Sequence, residues 1–407
     1  MSLLVFDPRV EGHHTEYLLH IARYVSKSSA SPDLYFAVNP DIKIHCPELV
    51  RIEGASDSIS LLPLNPDEYY DPENASSIRR SLAGWESAMN RAVELDVDHC
   101  MFMELNIYQA VLGLPRSYDM PFSVSGILFF PYCRIEPGGG ILSQIKSMVE
   151  KLRKMLQVRW MISNSIINTI FVLNDHWGAR NMNDHFGTDI FRFLPDPVPS
   201  LQIDENESDH VASWSRKWWG PDRVHFLLFG SLRREKGVLE AIQAFCKLSR
   251  QEAQLAAFHL LGAPREELEA HLFGLVSKLQ EEQPELHIHF EGRFLSESEL
   301  DCALSHSDVI LAPYQRVEGS SGVLGHSANY RTPVIGAKTG LIGYLIEEYD
   351  LGVTVDSSSP ERLRKVISAY LQGDKEKRST AGMKRYVSER TPDDFAEKLL
   401  SVHSKTS

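Results

Sequence analysis

Residues 224–237, Val-His-Phe-Leu-Leu-Phe-Gly-Ser-Leu-Arg-Arg-Glu-Lys-Gly, give the strongest indication of the fold. The apolar run 224–229 has the length of a buried strand, and Gly230 ends it. The chain then carries apolar residues at the spacing of one helical face: Val238, Leu239, Ile242, Phe245 and Leu248. A buried strand, a glycine turn and an amphipathic helix indicate a parallel α/β sheet.

The same alternation covers the rest of the chain. Downstream, it predicts strands at 257–261, 287–290, 309–312, 334–336 and 353–355. Upstream, it predicts strands at 3–6, 34–38, 100–103, 124–130 and 169–173, with helices near 76–95 and 142–160. Two such series predict two doubly wound, Rossmann-like α/β domains that face a cleft at the carboxyl ends of their strands, where such sheets bind ligands.

A proline-rich stretch separates the two series. Residues 193–199, Phe-Leu-Pro-Asp-Pro-Val-Pro, interrupt regular structure, and an acidic stretch follows them. We therefore predict an N-terminal domain over 1–200, a linker over 201–222 and a C-terminal domain over 223–385. The three tryptophans in or beside this linker either contact a sugar ring or, as is more common, pin the linker against a domain: Trp214, Trp218 and Trp219.

The composition of the 407 residues excludes several classes of protein. Hydrophobic residues make up 43% and charged residues 24%, which excludes a disordered or fibrous chain. The net charge is −13, so we expect no nucleic-acid partner. The cysteines lack any CxxC pair, which favours reduced thiols over disulfides or a zinc site. With no basic leader and no long apolar run, we expect no signal peptide or spanning helix, and a cytoplasmic location.

Two segments have the chemistry of a phosphate site. In 230–237, Lys236 supplies a point charge and Arg233 or Arg234 a fork of donors beside a helix N-terminus. A surface turn with solvated charges is the open alternative. The second segment, 318–324, follows a strand and begins a helix with small residues that let backbone amides approach an anion. Its Glu318 is either a carboxylate at the cleft or a helix-capping charge.

In this order and spacing, the chain resembles the retaining nucleotide-sugar glycosyltransferases of the GT-B fold, known as glycosyltransferase group 1. Four further pieces match that family's pattern. They are Glu11-Gly12-His13-His14, the stretch 194–198, Gly292-Arg293-Phe294, and Thr332-Pro333-Val334-Ile335-Gly336.

The resemblance implies transfer of a sugar from a nucleoside diphosphate sugar to a hydroxyl acceptor with retention of configuration, without a metal or other cofactor. It implies catalytic roles for Glu318, Lys236 and Arg234, and acceptor-side roles for Gly12 and His13. It also implies that a C-terminal helix within 386–407 crosses back to the first domain. The implied donor-binding residues are Gly230, Ser231, Arg233, Arg293, Phe294, Ser320, Ser321, Gly322, Val323 and His326.

One departure from the family pattern leaves a second function open. The family places a second carboxylate eight residues after the first, and 318 + 8 is His326 here. A neutral imidazole accepts a hydrogen bond through only one nitrogen. The alternative is therefore a catalytically silent GT-B protein that binds a carbohydrate or a partner enzyme. A third alternative is a sugar phosphorylase-like or epimerase-like enzyme, of which the phosphorylase is less favoured because no lysine stands in a context that suggests a pyridoxal Schiff base.

The helix predicted over 142–160 combines apolar residues with an excess of basic ones. Its cations are Lys146, Lys151, Arg153, Lys154 and Arg159, opposed by Glu150. One interpretation is peripheral contact with an anionic membrane, at the inner face of the cell membrane for a cytoplasmic protein. The other is an ordinary amphipathic helix that packs its apolar side on the sheet.

Overall fold

The chain forms two compact units in a computed structural model, which describes residues 2–10, 12–27, 32–65, 68, 77–112, 120–135, 141–315, 319–373 and 380–402. The first unit comprises Met1–Asp196 and Arg390–Ser407, and the second comprises Pro197–Glu389. The chain therefore passes from one unit to the other after Asp196 and returns after Glu389.

The described residues of the first unit form a seven-stranded parallel sheet. Its strand order is β3-β2-β1-β4-β5-β6-β7. The strands are β1 (Ser2–Asp7), β2 (Asp33–Val38), β3 (Ile59–Pro63), β4 (His99–Phe102), β5 (Ser123–Leu128), β6 (Ile167–Leu173) and β7 (Phe191–Leu194). Strand β1 lies at the centre and pairs in parallel with both β2 and β4, so that Leu4 is opposite Tyr35 on one side and Cys100 on the other.

Two strands of this sheet, β3 and β7, were not predicted. Both lie at the sheet edges, where one side of the strand has no neighbour. Each combines buried residues with partly exposed or exposed ones and contains a polar residue, Ser60 or Arg192, so neither is a continuous apolar run. The interpretation of residue 193 as the start of irregular structure was wrong, because Phe193 and Leu194 pair with Val172 and Leu173 of β6.

Helices cover the sheet of the first unit. They are α1 (His14–Ser26), α2 (Ile42–His45), α3 (Pro47–Gly54), α4 (Ser77–Glu94), α5 (Gln109–Leu112), α6 (Ile141–Ile162), α7 (His176–Phe186) and, from the end of the chain, α17 (Pro392–Leu400). Phe395 of α17 lies 4.7 Å from the ring of Tyr17 in α1, and both rings are buried in one core. The last helix therefore belongs to the first unit.

The second unit has a six-stranded parallel sheet in the order β10-β9-β8-β11-β12-β13. Its strands are β8 (Val224–Phe229), β9 (Ala256–Leu261), β10 (His287–Glu291), β11 (Val309–Ala312), β12 (Val334–Ala337) and β13 (Gly352–Val355). Its helices are α8 (Ser208–Trp218), α9 (Val238–Cys246), α10 (Arg250–Leu255), α11 (Glu266–Glu282), α12 (Glu297–His306), α13 (Gly322–Tyr330), α14 (Gly340–Glu348), α15 (Pro360–Leu371) and α16 (Thr380–Ser388).

The stretch 201–222, predicted as a linker, contains helix α8 and belongs to the second unit. Its exposed acidic face resembles a solvated linker in sequence, but its tryptophans are anchored. Trp219 stacks on His259 at 4.4 Å, and the Trp214 indole donates a 2.6 Å hydrogen bond to Glu291. The tryptophans therefore fix α8 on the sheet, and the change between units comes earlier, after Asp196.

Candidate functional site

The segment from β8 to α9 forms a tight loop at the carboxyl edge of the second sheet. The Gly230 amide donates to the Leu261 carbonyl at 2.9 Å, which fixes the start of the loop. A single 3₁₀ turn follows over Arg234–Lys236. Gly237 then adopts a φ of +72°, and a Cβ there would strike the carbonyl oxygen of Pro313. Glycine therefore lets the loop pack directly against the end of β11.

Lys236 is a partly buried cation in this loop. Its Nζ lies 3.5 Å from the Phe229 carbonyl oxygen and 5.9 Å from the centre of the Tyr314 ring. Burial, reinforced by the nearby positive charge of Arg233, lowers the pKa of Lys236 to about 8. Among the described residues, no carboxylate forms an ion pair with it. An anion bound here would supply the missing negative charge.

The neighbouring arginines add to this positive charge. Arg234 is exposed, whereas Arg233 is partly buried. Arg233 Nε is shielded from solvent and has no hydrogen-bond partner within the part of the chain that the structure describes. A buried donor of this kind is costly unless a ligand or water satisfies it. The predicted cations Lys236, Arg233 and Arg234 thus lie together on one loop.

The N-terminus of α13 lies beside the same loop. The Tyr314 hydroxyl and Ser321 Oγ are hydrogen-bonded at 2.9 Å, and Ser321 caps the helix by accepting from the Val323 amide. Because Lys236 Nζ lies 5.9 Å from the centre of the Tyr314 ring, the start of α13 lies beside the cationic loop. This start comprises Gly322 and Val323, the N-cap Ser321 and the preceding Ser320. A helix N-terminus favours bound anions. Glu318 lies outside the described residues.

His326 is buried one turn into α13. Its ring meets the ring of Phe229, the last residue of β8, edge to face at 5.6 Å. The structure therefore brings His326 to the end of the strand that precedes Gly230 and Ser231. Of the predicted donor-binding residues, those of the β8 loop and those of α13 form one group.

Arg293 and Phe294 form a separate group after β10. The Arg293 guanidinium pairs with Glu291 at 2.6 Å and with both carboxylate oxygens of Glu299 at 2.6 and 2.7 Å. Burial favours the neutral acid, but hydrogen bonds from Arg293 and from the Ser296 amide outweigh it and lower the pKa of Glu299 to about 2. Phe294 is 66% exposed. Arg293 therefore already has two anionic partners in the protein.

The carboxyl edge of the first sheet carries a charge cluster that sequence analysis missed. Asp7 ends β1, and its carboxylate pairs with His14 Nδ1 at 2.8 Å. His14 Nε2 lies 3.7 Å from Glu104, which in turn pairs with Arg9 at 2.7 Å. The predicted acceptor-side residues, Gly12 and His13, directly precede His14 in the sequence. Gly12 is exposed, and the His13 ring stacks on the Tyr17 ring at 5.8 Å.

The groups around His14 favour its protonated form. Burial opposes the charged imidazole, but the charges and hydrogen bond of Asp7 and the charge of Glu104 outweigh it, so the pKa of His14 is raised. Burial also raises the pKa of Glu104. The sequence signal that indicates such a pair is a carboxylate at the end of the central strand with a histidine in the first turn of the next helix.

A cavity of about 580 Å³ lies at the opposite, amino edge of the second sheet. Trp219, His225 and Asp308 are among its lining residues. Within the described ranges, no group of three histidine, cysteine, aspartate or glutamate side chains is positioned to hold a metal ion. The cavity thus differs from the carboxyl-edge site in position.

Comparison with known proteins agrees with this architecture. Residues 216–386 match the family described as glycosyl transferases group 1, and this stretch lies within the second unit. A search of curated protein sequences found no match.

Solved structures match the chain along its length. The trehalose-6-phosphate phosphatase N-terminal domain of Candida albicans has a TM-score of 0.68 at 10% identity, covering 100% of this chain and 97% of that one. Sucrose-phosphate synthase of Thermosynechococcus elongatus has a TM-score of 0.68 at 12% identity, covering 100% and 98%. HepE of Anabaena, with UDP and glucose, has a TM-score of 0.64 at 12% identity, covering 99% of each. The chain has the GT-B fold, with two Rossmann-like units.

Proposed function

We propose that the protein is a glycosyltransferase that moves a sugar from a nucleoside diphosphate sugar to a hydroxyl acceptor. The observation that carries this proposal is Lys236, a partly buried cation without an acidic partner among the described residues, next to the N-terminus of α13. Two further observations support it: the second unit matches the group 1 family, and the HepE structures hold UDP, glucose or UDP-glucose.

The leaving diphosphate is the group that the cationic loop would stabilise. When the bond between the sugar C1 and the β-phosphate oxygen breaks, negative charge grows on that oxygen. Lys236 and Arg234 would neutralise it, with Arg233 and the first amides of α13 as further donors. In this proposal, these residues stabilise the charge on the leaving diphosphate, which a metal ion does in other transferases. Glu318, Gly319 and Ser320 would contact the donor sugar.

We propose retention of configuration, with the acceptor attacking C1 on the face that the diphosphate leaves. The acceptor oxygen forms the new bond to C1, and its proton passes to the departing phosphate oxygen, so no protein nucleophile is required. We assign the acceptor to the carboxyl edge of the first unit, where Gly12 and His13 adjoin the Asp7–His14 pair. An edge whose charges are already paired with each other binds a neutral hydroxyl more readily than it binds a free anion.

The test is turnover with a panel of nucleoside diphosphate sugars and sugar acceptors, beginning with UDP-glucose. We expect acceptor-dependent release of a nucleoside diphosphate, reduced at least 100-fold in Lys236→Ala and unchanged in Lys247→Ala, which removes an exposed lysine of the same unit. The anomeric configuration of the product, measured by NMR, tests retention. Nucleotide binding without release across the panel would support the alternative, a catalytically silent protein, to which His326 in place of a carboxylate points.

A further inference from the structure

Helix α6 carries large apolar side chains that face solvent along most of its length. Leu142 is 84% exposed and Met148 66%, and the rest of the group is between about one third and two thirds exposed. Seven of the exposed large apolar residues belong to this one helix: Leu142, Ile145, Met148, Val149, Leu152, Leu156 and Trp160. We call the exposed face that they form the α6 surface.

The spacing of these residues puts them on one stripe. Steps of three and four residues connect 142, 145, 149, 152, 156 and 160, and at about 100° per residue the stripe spans roughly a third of the helix circumference. The residues of α6 that enter the core, Val158 and Met161, lie on nearly the opposite side. The apolar stripe therefore points away from the sheet, whereas the ordinary amphipathic interpretation expects it to pack on the sheet.

The exposed part of α6 extends past the carboxyl edge of the first sheet. Helix α6 connects β5 to β6, which are parallel neighbours, so it runs antiparallel to them and begins at their carboxyl ends. The 22 residues of α6 span about 33 Å at 1.5 Å per residue. The seven residues of β6 span only about 23 Å. The α6 surface is thus on the side of the sheet that carries the Asp7–His14 pair.

Basic side chains flank the stripe. The helix contains five cations and one anion, Glu150, which pairs with Lys154 at 3.6 Å. This excess of four positive charges stands out in a chain whose net charge is −13. Lysine and arginine stems lie along an apolar surface while their charged ends reach the polar boundary. Together these features are typical of an interfacial helix that prefers anionic lipid.

We propose that the α6 surface docks the protein on an anionic lipid membrane. A second copy of this chain would also cover an apolar stripe, but a helix pair would bring four excess positive charges of each copy together. An anionic lipid surface instead neutralises them and accepts the apolar side chains between its headgroups. No helix among the described residues is long and apolar enough to span a bilayer.

One consequence deepens the proposed function and rests on it. If the carboxyl edge of the first unit binds the acceptor, docking through α6 brings that edge toward the lipid surface. The acceptor hydroxyl then belongs to a molecule anchored in the membrane. Membrane docking itself is independent of catalysis and is tested without any sugar nucleotide.

The test is co-sedimentation of the full chain with two kinds of vesicle. One is phosphatidylcholine alone, and the other is phosphatidylcholine with about 30% phosphatidylglycerol, which represents a strongly anionic membrane. We expect binding to the anionic vesicles that weakens in high salt, and at least tenfold weaker binding for Met148→Ser/Leu152→Ser. The matched control, Ile44→Ser/Ile78→Ser, changes two somewhat more exposed apolar residues of the same unit and should bind like the wild type.

Three results would overturn the proposal: no binding to either vesicle, equal binding to both, or an equal loss in the control variant. A dimer in sedimentation velocity that Met148→Ser/Leu152→Ser dissociates, without vesicle binding, would instead assign the α6 surface to a second copy. Because the substituted residues are exposed, circular dichroism melts should match the wild type. Turnover of a soluble acceptor should also be unchanged in this variant, so a failure of docking is distinguishable from a failure of the proposed transferase activity.

Discussion

The carboxyl edges of the two sheets differ in how they balance charge. In the first unit, Asp7 pairs with His14 at 2.8 Å and Glu104 pairs with Arg9 at 2.7 Å. In the second, Lys236 has no such acidic partner among the described residues. The same strand-loop-helix topology thus provides one edge whose charges are paired internally and one edge that is left cationic. The first suits a neutral hydroxyl group, and the second suits an anion.

This difference arises from a few residues that directly follow the central strands. In the first unit, the last residue of β1 is an aspartate and the next helix begins with a histidine. In the second, β8 is followed by Gly230 and a basic 3₁₀ turn. In the proposed function, the backbone determines where the ligands bind, and these side chains determine which ligand each edge accepts.

The largest effect, on the free energy of unfolding, is expected from Asp7→Ala, which removes the carboxylate that pairs with His14. The substitution leaves the buried His14 without its main partner, and removing one member of a buried pair costs about 3 kcal/mol. We therefore expect urea denaturation, followed by circular dichroism, to show a loss of about 3 kcal/mol, with nucleotide affinity unchanged. The control is Asp41→Ala, which removes an exposed aspartate. A loss below about 1 kcal/mol would mean that the pair contributes little to stability.

Removing the cation of the second edge should affect binding. We expect Lys236→Ala to weaken nucleoside diphosphate binding about 100-fold, because a charge-assisted contact in a partly buried site contributes roughly 2 to 3 kcal/mol. Isothermal titration calorimetry measures this, with Lys247→Ala as the control. A change below about threefold would remove Lys236 from the anion site.

The pH dependence of binding sharpens the assignment to Lys236. Because its pKa in the free protein is lowered to about 8, the charged form that attracts a diphosphate is lost as the pH rises through that value. We expect affinity to fall about tenfold between pH 7.5 and pH 9. Lys236→Arg should show a nearly flat profile, since arginine stays charged over this range. A profile that falls equally in both proteins would assign the titration to another group.

The smallest effect is expected at Arg293, where sequence analysis predicted donor binding. Its guanidinium is held by Glu291 and Glu299, and it is about half exposed. We therefore expect Arg293→Ala to cost about 1 kcal/mol of stability and to change nucleotide affinity less than twofold. Thermal melting and calorimetry on the same sample separate the two effects. A tenfold loss of affinity with unchanged stability would support the prediction that Arg293 binds the donor.

Much of the fold was predictable because buried parallel strands are continuous apolar runs. All of the strands predicted in the second unit are confirmed, as is the GT-B fold. The edge strands β3 and β7 were not predicted because they are short and only half buried. Helix α8, within the stretch predicted as a linker, was not predicted because Trp214 is its one buried residue and most of its surface is polar.

The candidate site was less predictable, because it depends on side-chain partners. The rule that ligands bind at the carboxyl ends of strands selected the loop of Lys236 and the start of α13. It did not show that Glu299 in α12, six residues after Arg293, would accept hydrogen bonds from the Arg293 guanidinium. Nor did it show that His14, rather than His13, turns toward Asp7. Those choices depend on the rotation of a helix against the sheet, which residue spacing alone does not determine.

The most direct test of the central claim is a crystal structure of the protein with the nucleoside diphosphate that stabilises it most in thermal melts. We predict that the diphosphate lies within hydrogen-bond distance of Lys236 Nζ, with the first turn of α13 directed at it. A diphosphate bound instead in the cavity at the amino edge, beside Trp219, His225 and Asp308, would contradict the account.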